Sequence, residues 1–399
     1  MKKIDYREIQ GNSLGYWVLF LLFGAIIAVA AGSAYYMEHN GHWVTGMDNQ
    51  IVWGLPHVFA IFLIVAASGA LNVASIGTVF RKEGYQALGR LSGLLAIALL
   101  IGGLLVLVLD LGRPDRLIVA MTVYNFKSIF AWNIFLYTGF MVITGVYLWF
   151  MMERKMNRFY KPAGFVAFVW RLMLTTGTGS IFGFIVAREA FDSAVMAPMF
   201  VVMSFSFGLA AFLLVLMATY TWSDRPLGNK VVFRLKNLLG VFCGAVLYFT
   251  LVFHITALYA TEHHGFEHFL LVGGGIFTQL FWIGHVLLGN LLPIALLYWS
   301  KTGSSRFWIA VASTLVILGG FTQIYVILIG GQAYPLDIFP GKEVVSGGFF
   351  EGQINSYSPS PWEFLLGMGG VSVAMIMVMI AIKFLRFVPG SLADEGKAA

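Results

Sequence analysis

The sequence predicts an all-α integral membrane protein of ten transmembrane helices, arranged as two four-helix bundles with a flanking helix at each end. Three observations carry that expectation. Only 11% of the 399 residues are charged, while 59% are hydrophobic. A soluble domain carries about 25% charged residues, so too little charge remains to cover a water-facing surface. The apolar runs are about 20 residues or longer, the length of a helix crossing hydrocarbon, whereas a membrane β-barrel shows alternating segments of about 10. The basic residues then alternate between sides as a ten-span chain requires. The same composition excludes disorder, a collagen-like repeat and a disulfide-stapled secreted domain.

The first span is expected at residues 14–37. Thirteen mixed-charge residues precede it and it outruns a typical signal-peptide core, so it reads as a retained helix. Spans two to five are expected at 52–79, 88–111, 128–152 and 164–187. Spans six to nine follow at 196–222, 233–260, 269–299 and 307–330, and the tenth at 362–388. Several exceed the thickness to be crossed, so tilt is expected. The chain divides accordingly: 1–51, tail and first helix; 52–187, first four-helix unit with the candidate site; 196–330, second unit; 331–361, an extracytoplasmic loop; 362–399, last helix and tail. An internal echo supports two units. Arg90-Leu91-x-x-Leu94-Leu95 opens the third span and Arg234-Leu235-x-x-Leu238-Leu239 the seventh, 144 residues later; Ile129-Phe130 is matched by Ile276-Phe277, 147 later. Chance likeness between apolar helices is the competing explanation.

With these spans, 19 of the 25 Lys and Arg residues fall on one side, from Lys2, Lys3 and Arg7 to Lys383, Arg386 and Lys397. Arg113, Arg116, Lys127, Arg188 and Lys342 fall on the other, and Arg171 lies within a span. The positive-inside rule puts both termini in the cytoplasm, with the chain multi-pass in the inner membrane. The net charge of +6 is thus a topology signal rather than a nucleic-acid one. The extracytoplasmic loop, with Pro335, Pro340, Pro359, Pro361 and several aromatics, reads as an ordered cap or docking surface. No soluble domain is hidden in the chain, so a large catalytic domain must come from partners. The single Cys243 supports no internal disulfide, no Cys-rich Fe–S site and no C-x-x-C-H haem attachment. It reads as a small buried apolar residue.

Ionisable residues in or beside membrane spans are costly and tend to be functional. The densest group, Asp110-Leu111-Gly112-Arg113-Pro114-Asp115-Arg116, follows the third span. Pro114 ends the helix, Gly112 permits a tight turn, and Arg113 is expected to fold back towards Asp110. Two readings stand: a charge-paired helix terminus, or a polar pocket at headgroup depth with Asp110 exchanging a proton. His57 lies at the mouth of the second span; Tyr124, Asn125, Trp132, Asn133 and Tyr137 line the start of the fourth. Imidazole, carboxylate, amide and phenol suit a quinone, whose carbonyls accept hydrogen bonds and whose reduction takes up protons. Packing alone would also account for each residue singly.

Arg188, Glu189 and Asp192 form a second charge group, expected to pair with the Asp110 segment or to meet a partner. Arg171 needs a buried partner or water access. His254 and His285 raise a haem b ligand pair, weighed against packed or proton-path histidines. Glu262-His263-His264-Gly265-Phe266-Glu267-His268 reads as a solvated loop, with a structural metal as the alternative. There is no phosphate loop and no H-E-x-x-H, and nothing here does redox chemistry alone.

At Leu109-Asp110-Leu111-Gly112-Arg113-Pro114-Asp115-Arg116 the chain resembles the NrfD/polysulfide-reductase membrane subunit family. The resemblance covers roughly residues 52–330. The ten-span form, with Pro335-Leu336-Asp337-Ile338-Phe339-Pro340-Gly341 and Ser356-Tyr357-Ser358-Pro359-Ser360-Pro361, is similar to two subgroups. One is the membrane subunit of the sulfite-reduction-associated Dsr complex, which is favoured; the other is that of hydrogenase-2-type enzymes. The resemblance implies electron exchange between a quinone pool, menaquinone or ubiquinone, and an extracytoplasmic ferredoxin-like iron–sulfur partner. It further implies sulfur metabolism, companion cytochrome and membrane subunits, surrounding lipid, and no haem or Fe–S cluster in this chain. Asp110 and Arg113 carry over through the motif, while His57, Tyr124, Trp132, Asn133 and Tyr137 are placed at the quinone pocket by topology. Two other classes are weighed: a secondary transporter, which the echo favours but which lacks a polar, broken mid-membrane site, and a haem b carrier.

Overall fold

The computed structural model describes residues 4–336 and 353–394. Residues 337–352 of the expected extracytoplasmic loop therefore lie outside the described residues, as do Lys2, Lys3 and Lys397. Among the described residues, ten helices are long and apolar enough to cross a membrane. They are α1 (Leu14–Asn40), α2 (Leu55–Thr78), α3 (Gly89–Leu109), α4 (Ile129–Met152) and α5 (Tyr160–Gly183). The second five are α6 (Met196–Trp222), α7 (Asn229–Tyr259), α8 (Ile276–Tyr298), α9 (Arg306–Ala333) and α10 (Pro361–Phe384). This is the all-α membrane architecture that the sequence predicts.

The ends of the chain meet. A strand β1 (Tyr6–Arg7) pairs antiparallel with β2 (Val388–Pro389), Tyr6 opposite Pro389. These two strands mark one face of the bundle, here the terminal face; the opposite end is the distal face. The helix starts follow from local chemistry. Ser13 caps α1, its side chain accepting from the Tyr16 amide, and Ser360 and Glu363 form a reciprocal capping box at α10. Pro56 sits in the first turn of α2, where no N–H is needed.

α2 is the hub, buried on almost every side. It packs on α3, α5, α6 and α10. Gly69 of α2 meets Gly208 of α6 so closely that a Cβ on either would land on the other helix's backbone. Such small-residue contacts matter in lipid, where water gives no drive for helices to associate. α2, α3, α4 and α5 close one ring of neighbours, and α6, α7, α8 and α9 another, while α1 lies along α10.

The structure moves two span boundaries and settles the surroundings of Arg171. The eighth span begins at Ile276, not residue 269, because Gly274 turns left-handed at φ +74° and residues His264–Leu271 form a separate short helix. The tenth span ends at Phe384, where the chain leaves the helix to form β2 with its Pro389. Arg171 finds its partner inside the protein: it donates to Asn72 Oδ1 at 2.8 Å and lies 5.1 and 5.0 Å from the ring centroids of Phe168 and Phe205.

Candidate functional site

Asp110 ends α3 as its C-cap and is buried. A carboxylate there faces the negative end of the helix dipole, an unfavourable placement that nearby cations or donors must offset. Two imidazoles approach it. His57 Nδ1, from the first turn of α2, lies 2.7 Å from Asp110 Oδ2; His42 Nε2, from the turn after α1, lies 3.9 Å from Oδ1. The His57 contact is close but off the line of a good hydrogen bond, and neither Asp110 oxygen has a conventional donor. With Nδ1 turned to the carboxylate, Nε2 of His57 is the nitrogen left for a ligand.

His57 opens onto a cavity of about 460 Å³ lined by residues of α2, α3, α4 and α5 and the turn after α3. That volume suits a small-molecule site. Its walls are largely apolar, with Trp53, Phe130 and Phe182 clustered beside His57. Asn133 and Tyr137 add the polar groups. Asn133 Nδ2 donates to Ile129 O at 2.9 Å and Gly177 O at 3.1 Å. Both amide protons are thereby spent, which fixes the amide's orientation and leaves Oδ1 as a buried acceptor without a partner. Asn133 is thus built to receive a hydroxyl hydrogen rather than to donate to a carbonyl.

The structure brings His57, Asn133 and Tyr137 together on the cavity wall, with Asp110 behind His57, and leaves Arg113, Tyr124 and Trp132 away from it. Arg113 does not fold back to Asp110. It forms an exposed fork with Asp115, at 3.0 and 2.9 Å, because Asp110 is turned inward to the imidazoles. Those hydrogen bonds hold the Asp115 carboxyl below its ordinary range. Tyr124 packs at a tilt against Phe126 and Phe135, and Trp132 donates its indole N–H to Phe126 O, so both order the segment before α4.

Sequence reasoning missed His42, whose short loop carries no periodic signal, and the scaffold beneath Trp53. Gln332 Oε1 accepts from the Val52 and Trp53 amides, each at 3.0 Å, while its Nε2 donates to Trp53 O. Arg188 donates to Gln332 O and Gln50 O, not to the Asp110 segment. Tyr357 accepts from the Leu55 amide at 2.7 Å and donates to Glu363.

A second imidazole–carboxylate pair stands in the other ring of helices. His254 Nδ1 of α7 lies 2.8 Å from Glu267 Oε2, and Glu267 is 1% exposed, so the solvated-loop reading fails at this residue. The physical reason is the short helix His264–Leu271, which turns Glu267 inward with Phe266 and Leu270. His285 joins Thr250 and Asn290 through its two ring nitrogens. The space between them is only about 30 Å³, the scale of a water molecule. A ring-sized ligand fits the first cavity and not this one.

Comparison with known proteins agrees with the motif. The family model for polysulphide reductase, NrfD, matches residues 43–335. The Hdr-like menaquinol oxidoreductase integral membrane subunit of Archaeoglobus fulgidus is 29% identical, covering 98% of each chain. A selenate reductase subunit of Mesobacillus selenatarsenatis is 23% identical over 91% of this chain and 92% of its own. A putative dimethyl sulfoxide reductase membrane subunit of Halobacterium salinarum is 25% identical over 90% and 89%.

Proposed function

The chain belongs to the NrfD polysulphide reductase family, and from that membership we propose that it is the quinone-reactive membrane subunit of a respiratory oxidoreductase. It exchanges electrons between a membrane quinol, of the menaquinol type named for its Archaeoglobus relative, and an iron–sulfur partner. The distal face is extracytoplasmic in this reading, and the partner docks there. The names of the family and of the dimethyl sulfoxide reductase relative favour a sulfur compound as the terminal substrate, as in a Dsr-type complex.

The observation that carries the proposal is the 2.7 Å His57–Asp110 pair at the wall of an apolar, ring-sized cavity. A quinone bound there supplies two-electron, two-proton chemistry. His57 holds or gives up a proton at Nε2. Asp110 orients the ring through its 2.7 Å contact at Nδ1. Asn133 Oδ1 accepts from a hydroxyl, and Tyr137 offers a phenol. The apolar walls exclude water around the exchange.

Replacing Asp110 by Asn tests this. The complex is expected to assemble and to lose quinol-linked turnover by a factor of about 10² or more, the usual range for a proton-transfer group. Normal turnover in an assembled variant would refute the proton role.

A further inference from the structure

On the terminal face an apolar crevice of about 200 Å³ opens between α1, α6 and α10. Leu19 and Phe23, Leu214 and Ala218, and Met375 and Val378 form its walls, one pair from each helix; Ser13, Tyr16 and Thr219 are its hydroxyl-bearing members. It arises because α1 leans along α10 without packing closely on α6.

A cation stands beside this crevice. The Lys383 ammonium lies 4.6 Å from the Trp17 ring centroid and 5.2 Å from that of Tyr16, which itself lines the crevice. The acidic side chains of the neighbouring strand are spoken for: Asp5 pairs with Arg7, and Glu8 with Arg386. Among the described residues no carboxylate lies within ion-pair distance of Lys383. Trp17 and Trp222 are both partly exposed beside it, at the level where aromatic side chains mark the headgroup region.

We propose that this crevice holds one acyl chain of an anionic phospholipid, with the phosphate paired to Lys383. The apolar lining selects a hydrocarbon chain, and the cation without a carboxylate selects an anionic head over a zwitterionic one. The paired carboxylates nearby leave the local charge positive, which adds to the same preference. A quinone ring would find no imidazole or amide here, and the Tyr16 hydroxyl already donates to Met379 O, whereas the other cavity offers both His57 and Asn133.

Native mass spectrometry of the purified full chain, with whatever subunits accompany it, tests the proposal. Phosphatidylglycerol or phosphatidylcholine is titrated into the delipidated sample. One phosphatidylglycerol is expected to be retained about fivefold better than phosphatidylcholine, the selectivity expected of a single interfacial cation. Lys383→Gln should erase that preference, Lys383→Arg should keep it, and Ala218→Phe should expel both lipids. Quinol turnover measured alongside shows that each variant is folded. Equal retention of the two lipids, a preference that survives Lys383→Gln, or recovery of quinone in place of lipid would each overturn the proposal.

Discussion

His57 Nδ1 lies 2.7 Å from Asp110 Oδ2, and this contact joins the first turn of α2 to the C-cap of α3. It places a titratable pair where two helices of opposite direction meet, at the wall of a large cavity that reaches between α2 and α5. His42 approaches the same carboxylate at 3.9 Å from a separate turn. The two imidazoles are unequal, and the inequality makes a prediction.

His57→Gln is expected to lower quinol turnover by about 10²-fold or more, and His42→Gln by less than about tenfold, since only His57 reaches the cavity. Steady-state turnover of the purified complex measures both. Equal losses would contradict a proton path through the cavity-facing ring alone.

Asn133 should behave as a binding residue. Its amide protons are committed to Ile129 and Gly177 and only Oδ1 remains. Asn133→Leu is expected to raise the quinol KM about tenfold with a smaller change in kcat, the pattern of lost binding rather than lost chemistry. A collapse of kcat at unchanged KM would contradict this.

At the distal cap, Tyr357 bridges the Leu55 amide and Glu363, so it locks the start of the His57 helix. Burial, then the Glu363 carboxylate, push the Tyr357 phenol well above its ordinary value. A phenol raised in the folded state gives its full stabilisation below the unfolded value of about 10, and loses it as pH rises beyond that. Tyr357→Phe should therefore cost about 1–3 kcal/mol at neutral pH, and the difference should shrink above pH about 10. Thermal unfolding across pH reads both.

Arg171 and Asn72 invite a paired comparison in the membrane interior. Asn72→Leu leaves a buried guanidinium without its 2.8 Å acceptor, whereas Arg171→Met removes the charge together with its desolvation cost. The first should destabilise by about 3–5 kcal/mol and the second by much less. Thermal unfolding of the two variants in detergent decides it; a larger loss for Arg171→Met would contradict the argument.

Much of this fold is legible in the sequence because hydrocarbon imposes simple rules. α2 and α6 announce themselves as unbroken apolar runs, and Asp110-Leu111-Gly112-Arg113-Pro114 marks the end of α3 by chemistry that no continuing helix tolerates. The failures fall where direction depends on the turning of a short segment. His42 sits in a single turn and Glu267 in a helix of eight residues, segments too short for a pattern in the sequence to tell that each points inward. Arg113 departs from expectation for the opposite reason: its nearer neighbour Asp115 outcompetes a carboxylate already facing an imidazole. The Gly273-Gly274-Gly275 run is a readable signal for the delayed start of α8, since consecutive glycines favour a break over a helix.

The most direct test is a density map of the purified complex saturated with a menaquinone analogue. The account predicts a ring between His57, Asn133 and Tyr137, against Trp53. A ring bound elsewhere, with only lipid in the cavity between α2 and α5, would contradict it.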